Sequence, residues 1–177
     1  MEHQQNSMIK KFKRMELLVE QMSIIYYWKR IHICMFMEMV KEMRMDHSYK
    51  PVLLKAILTY ADVSGKVKVS DLVDYFKKFY KSRRNNGLVI EKDDSVFSRE
   101  SCSDKEIERE ILSYPFRRFE NMSMMSHTKT LGIVQIDCSV WKKLSPKDKE
   151  EIEEICNLKL EQYYKRITKT EANVEGE

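Results

Sequence analysis

Glycine and proline are scarce in this chain, four and three among 177 residues, with none of either before Pro51. Many-stranded barrels and sandwiches turn tightly and often, and those turns draw on the same two residues, so helices are expected to dominate. Cysteine is sparse as well. Cys34, Cys102, Cys138 and Cys156 form no CxxC pair and have no histidine at zinc-finger spacing. That pattern predicts free thiols in a reducing compartment rather than a disulfide framework or a zinc ribbon. No basic, apolar and small-residue leader opens the sequence, and the cytoplasm is the expected location. A long uncharged run is also missing. The most apolar stretch, "MSIIYYWKRIHICMFMEMV" at 22–40, is interrupted by Lys29, Arg30, His32 and Glu38. A spanning helix needs about 20 nearly uncharged residues, so this stretch reads as a helix buried against the domain or a partner.

Catalytic signatures are lacking too. There is no GxxxxGK[ST] phosphate loop and no HNH-like histidine cluster; "SGKVKVS" has a Gly-Lys pair without the glycine loop. His32, His47 and His127 stand in no frame with a serine or cysteine that would make a nucleophile and its base. Glu91, Lys92, Asp93 and Asp94 in "VIEKDD" lack the spaced Glu-x-Lys of a metal nuclease and read as a charged strand end. Met35, Met37 and Met39 have the spacing of a soft copper site, but twelve methionines spread along the chain point to adaptable packing or a partner surface. The chain is therefore read as non-catalytic, with no cofactor and no metal.

What is present suffices for one folded unit. Hydrophobic residues make up 42% and charged residues 34%, which gives a core and a solvated surface rather than a disordered polyelectrolyte. Met15, Leu18, Val19, Met22, Ile25 and Tyr26 recur at helical spacing and predict a helix over about 8–30. It continues through the methionine-rich segment with a break near 30–34. Pro51 opens a second helix, Gly65 ends it, "KVKV" is a short strand, and Ser70 caps a helix over 71–86 that stops at Gly87. "LVIEK" reads as a strand and "DDSVFSRESCSD" as a loop. Ser103 caps a helix that runs to Pro115. "FRRFENMSMMSHTKT" fits no single element, and "LGIVQIDCSVW" is a buried strand that pairs with "LVIEK" or with "VKV". Ser145, Pro146 and Asp148 then start a long helix to about Thr168, with Ile152, Ile155, Cys156, Leu160, Tyr163 and Ile167 on one stripe. The fold class is α+β and mainly helical, with a winged-helix-like or small-sheet core. Three regions are expected: a Met-rich helical arm over 1–47, the core over 48–168 and a disordered tail over 169–177.

"SYKPVLLKAIL", "GKVKVSDLVDYFKKFY", "GLVIEK", "ILSYPFRRFE" and "VWKKLSPKDKEEIEEI" with "YYKRI" together resemble an accessory domain of bacterial DEAD/DEAH-type helicases and restriction-type nucleases in DNA-processing and defence systems. The resemblance spans about residues 48–167. It implies a helical, partly winged recognition or scaffold domain without the reaction.

Net charge is only +4, so clustering decides which surface meets an anion. Lys77, Lys78, Lys81, Arg83 and Arg84 crowd the second half of the 71–86 helix and are the first candidates for phosphate contact. A solvated helix end, where cations also complement the dipole, would use the same residues. Arg117 and Arg118 join them if folding brings the two clusters together. "KKFKR" at 10–14 is a basic arm or the polar face of the first helix. These features make a nucleic-acid-binding module the leading expectation. The alternative is a protein-interaction factor, such as an inhibitor or accessory subunit of a phage-defence (CRISPR or restriction) nuclease, anchored by Tyr27, Trp28, Met35 and Met39. Homo-oligomerisation through the same arm is compatible with either, and no membrane contact is expected.

Overall fold

The computed structural model describes residues 14, 15, 17, 19, 31–99 and 101–174. The helix predicted over 8–30 lies almost wholly outside them. Residues 31–41 form α1, which is continuous through 31–34 where a break was expected. The remaining elements are α2 (Tyr49–Tyr60), β1 (Lys66–Lys68), α3 (Val69–Asn85), α4 (Asp104–Ser113), α5 (Pro115–Asn121), β2 (Met125–Thr128), β3 (Ile133–Ile136), α6 (Cys138–Trp141) and α7 (Pro146–Val174). Among the described residues no helix is long and apolar enough to cross a membrane.

α2 is the central post. Tyr49, Pro51, Val52, Leu53, Leu54, Ala56 and Ile57 are buried, so the helix is enclosed on nearly every side, and it packs on α3, α5 and α7. α3 presents Leu72, Val73, Phe76 and Tyr80 to it; of the stripe expected on α7, Ile152, Cys156, Leu160, Tyr163 and Ile167 are buried and Ile155 is partly buried against the core. α1 contributes Phe36, Met37 and Val40 to the same core, and Met43 follows just beyond its end. The core therefore reaches back across residues 46–48, where the sequence suggested a boundary. At the other end α7 stays helical through Val174.

The sheet is antiparallel in the order β1-β3-β2. Val67 lies opposite Val134, both buried, while Lys66 and Lys68 point to solvent. Gly65 makes the turn into β1. Its φ of +79° suits glycine, and a Cβ there would lie 2.7 Å from Trp141 Cγ. Trp141 is held by its own Nε1, which donates to Asp62 O at 2.9 Å, and Asp62 Oδ1 accepts from Ser64 N and Lys66 N. Those hydrogen bonds, with the Ser64 hydroxyl, hold the Asp62 carboxyl below its ordinary pKa.

Three expectations change. Ser70 does not cap α3: the strand runs straight into the helix, Lys68 takes the cap position, and Val69 N donates to Gly132 O at 2.8 Å. "LVIEK" is not a strand. Side chains, rather than a ladder, bind its carbonyls: Arg83 Nε donates to Val89 O at 2.8 Å and the Tyr164 hydroxyl to Ile90 O at 3.1 Å. The long apolar run after Gly132 is a strand only to Ile136. Asp137 there accepts from Ser139 N and Val140 N and starts α6. The ambiguous segment resolves into α5 and β2, and the caps at Ser103 and Ser145 are reciprocal boxes, the first with Glu106 and the second with Asp148.

Candidate functional site

α3 divides its five cations into two groups. Leu72, Val73, Phe76 and Tyr80 fix the buried face, and helical periodicity turns residues 77, 78 and 81 outward. Lys77 is paired with Asp104 of α4 at 2.7 Å, a contact that raises its pKa. Arg83 stacks on Tyr164, 3.2 Å from the ring centroid, while its Nε holds Val89 O. Arg84 donates to Phe97 O at 2.9 Å and Arg99 O at 2.5 Å and so clamps the loop after α3. Lys78 and Lys81 are exposed and make no salt bridge or side-chain hydrogen bond with a described residue. Two of the five cations thus stand free for a ligand; the other three are occupied within the fold.

Arg117 and Arg118 are adjacent in α5 yet face different clefts. Arg118 lines one with Met39, Met43, Arg44, Lys50 and Phe119. Lys50 there donates to Arg44 O at 2.7 Å, and burial, with Arg118 nearby, pushes its pKa below the usual lysine value. Arg117 lines a second cleft between α4, α5 and the β2–β3 hairpin, with Arg109, Phe116, His127, Lys129 and Gly132. No α3 cation lines either cleft.

The second cleft is built by local rules. Ile107 and Ile111 bury one face of α4 and leave Arg109 on the other; Pro115 and Phe116 seat α5. Gly132, at φ +59°, closes the hairpin and carries Lys129 to its tip. His127 meets Phe116 edge-on at 5.9 Å. Arg109, Arg117 and Lys129 form no salt bridge with a described residue, although Glu108 and Glu120 share the lining. The result is a concave strip with three uncommitted cations, beside an exposed Leu131 at the tip. Sequence reading singled out Arg117 but missed Arg109 and Lys129. Their only sequence signal is a cation opposite an apolar helix stripe and a Lys-x-x-Gly turn between two short strands.

Tyr27 and Trp28 lie outside the described residues. Met35 is exposed and Met39 packs partly against the core. Glu91 is a buried knot rather than a charged strand end. Its carboxylate accepts from Ser48 N at 2.9 Å, from the Ser48 hydroxyl at 2.5 Å and from the Tyr163 hydroxyl. His47 Nδ1 lies 3.6 Å from it, and the Tyr80 hydroxyl meets that of Ser48 at 2.6 Å. The carboxylate is shut off from solvent, so the cluster joins α2, α3, α7 and the 88–95 loop instead of meeting a substrate. Among the described residues no three His, Cys, Asp or Glu side chains gather as a metal-binding group. The chain matches no protein-family profile, no curated protein and no solved structure.

Proposed function

We propose that this protein is a non-catalytic nucleic-acid-binding module on a winged-helix scaffold. One observation carries the reading: the order helix, strand, helix, helix pair, strand, strand, with the hairpin folded beside α4 and α5 and the uncommitted Arg109, Arg117 and Lys129 between them. Helix-turn-helix proteins lay one helix in the major groove and hold the backbone with neighbouring elements. Here the cations supply phosphate contacts, and Lys78 and Lys81 extend the positive surface along α3. The cleft offers few groups that would read base edges, so sequence preference is weak. The same reading accommodates the resemblance to accessory domains of DNA-processing proteins, in which such a module holds the substrate and a separate body carries the reaction.

Fluorescence anisotropy of labelled duplex DNA, single-stranded DNA and RNA over a salt series tests it. Three to five phosphate contacts give a log-log salt slope of about −3 to −4.5 on duplex DNA. Arg117→Ala with Lys129→Ala, and separately Lys78→Glu with Lys81→Glu, each weaken binding uniformly across sequences, and each lost contact lowers the slope by about 1. No binding at low salt overturns the proposal. Binding that ignores the first pair and responds only to the second moves the interface to α3.

A further inference from the structure

The cleft lined by Arg118 is assembled from parts of the chain that lie far apart in sequence. Met39 comes from α1, Arg44 and Asp46 from the link that follows, Lys50 from the first turn of α2, and Arg118 with Phe119 from α5. Its volume is about 450 Å³. Small-molecule sites usually span about 300–1,000 Å³.

The charges of this cleft are not settled within the fold. Lys50 is half-buried, yet its ammonium, which has three donors, meets one neutral acceptor, Arg44 O at 2.7 Å. Burial pushes its pKa below the usual lysine value; Asp46 opposes this and the positive charge of Arg118 adds to it. The guanidinium groups of Arg44 and Arg118 form no salt bridge or hydrogen bond with a described residue, and neither do the carboxylates of Glu42 and Asp46. A partly buried cation without an anion is held at a cost, and an incoming anion removes it. Guanidinium forks bind phosphate oxygens in pairs, and a lysine adds a point charge.

The same lining limits what can enter. Three cations face two carboxylates, which leaves one positive charge in excess. A single phosphate monoester, at about −1.5 to −2, suits that excess, whereas a polyphosphate brings further charge that Glu42 and Asp46 repel. The walls are apolar. Met43 and Phe119 are buried, Met39 and Met122 are partly so, and thioethers adjust to the shape of a neighbouring group.

We propose that this cleft binds a phosphate monoester attached to a small apolar or aromatic body, with Arg44, Lys50 and Arg118 on the phosphate and Met39 and Met122 against the body. That chemistry is shared by a free nucleoside monophosphate and by the phosphorylated end of a nucleic-acid strand. No residue of this cleft lines the cleft of Arg109, Arg117 and Lys129, so the proposal does not rest on the nucleic-acid reading.

Isothermal titration of the full chain with AMP, adenosine and ATP, in magnesium-free buffer at fixed ionic strength, tests this. AMP is expected to bind with a Kd below about 1 mM and at least about tenfold more tightly than adenosine, and ATP no more tightly than AMP. Arg44→Ala with Arg118→Ala, and separately Lys50→Met, should each weaken AMP by about tenfold or more, since each removes charged hydrogen bonds. Arg117→Ala with Lys129→Ala should leave AMP binding unchanged. Arg44 and Arg118 are exposed, so circular dichroism of that double variant should match the wild type and keep the test valid if Lys50→Met misfolds. Competition by a 5′-phosphorylated oligonucleotide but not its 5′-hydroxyl form assigns the site to strand ends, and competition by neither assigns it to free nucleotides. No heat from AMP at about 10 mM, tenfold above that Kd, overturns the proposal. So does AMP binding no tighter than adenosine, ATP binding about tenfold tighter than AMP, or AMP affinity that ignores the Arg44 and Arg118 substitutions.

Discussion

Glu91 shows how a single residue is fixed by partners far along the chain. Ser48 is 43 residues away and Tyr163 is 72, so nothing near "VIEKDD" signals that its glutamate is interior. Replacing it with Gln keeps the shape but removes the charge that four donors share, Lys92 N among them at 3.2 Å. Urea unfolding of Glu91→Gln is expected to show a loss of about 2–4 kcal/mol, the range for hydrogen bonds to a buried charge. His47 adds a pH dependence. The Glu91 carboxylate, the nearest acceptor and the nearest negative charge for its ring, raises its pKa above the ordinary 6.5 against partial burial; Asp94 adds to this and Lys92 opposes it. A raised folded-state pKa means that the imidazolium's contribution is complete below 6.5 and is lost as pH climbs through the higher folded value. The urea midpoint should therefore fall as pH rises above 6.5 and through the raised folded-state value, and the fall should flatten in His47→Gln. A profile unchanged by that substitution would remove His47 as its source. The α3 cations illustrate the same limit on legibility. Helical spacing shows that all five lie off the core face, but the acceptors that occupy Arg83 and Arg84 are backbone carbonyls of a loop, which carry no sequence signature.

At the scale of elements, sequence reading works where a local rule is self-sufficient and fails where a neighbour decides. The reciprocal boxes at Ser103 and Ser145 need only residues three apart, and both are present as expected. Ser70 satisfies the same local preference, yet the helix starts earlier because the sheet holds Val69 through Gly132. "LVIEK" has strand composition but finds no free edge on β3, which already has β1 and β2 on either side. Glycines separate the two kinds of constraint. Gly132 has φ +59° and open space within 4 Å of where a Cβ would stand, whereas a Cβ at Gly65 would meet Trp141 at 2.7 Å. Gly132→Ala is expected to cost about 1 kcal/mol, the left-handed backbone penalty alone. Gly65→Ala adds overpacking against a ring fixed by its own hydrogen bond and should cost about 2–4 kcal/mol. Thermal unfolding of the two variants checks the order, with roughly 2–4 °C per kcal/mol for a chain of this length. Equal shifts would mean that Trp141 yields freely.

For the whole molecule, the question is where the folded unit begins. Composition changes at Asp46–Ser48, from a segment rich in methionine to one with ordinary punctuation, and that change suggests a detachable arm. Packing divides the chain elsewhere. Phe36 is 1% exposed, Met37 7%, Val40 0% and Met43 7%, all in one cluster with α2 and α7, while Met15, Leu17 and Val19 are open to solvent. Methionine does not advertise which of these roles it plays, because its flexible thioether suits a core gap and a partner surface equally. Burying a large apolar side chain contributes about 1.5–3 kcal/mol, so the four residues together are worth about 6–12 kcal/mol. That is comparable with the whole stability of a typical domain, about 5–15 kcal/mol. A chain starting at residue 46 is therefore expected to lose cooperative unfolding and its dispersed amide spectrum. One starting at residue 31 keeps α1 and should unfold with a midpoint close to that of the full chain. If the chain from residue 46 stayed folded, α1 would be a docked appendage, and its apolar face would have to serve a partner rather than the core.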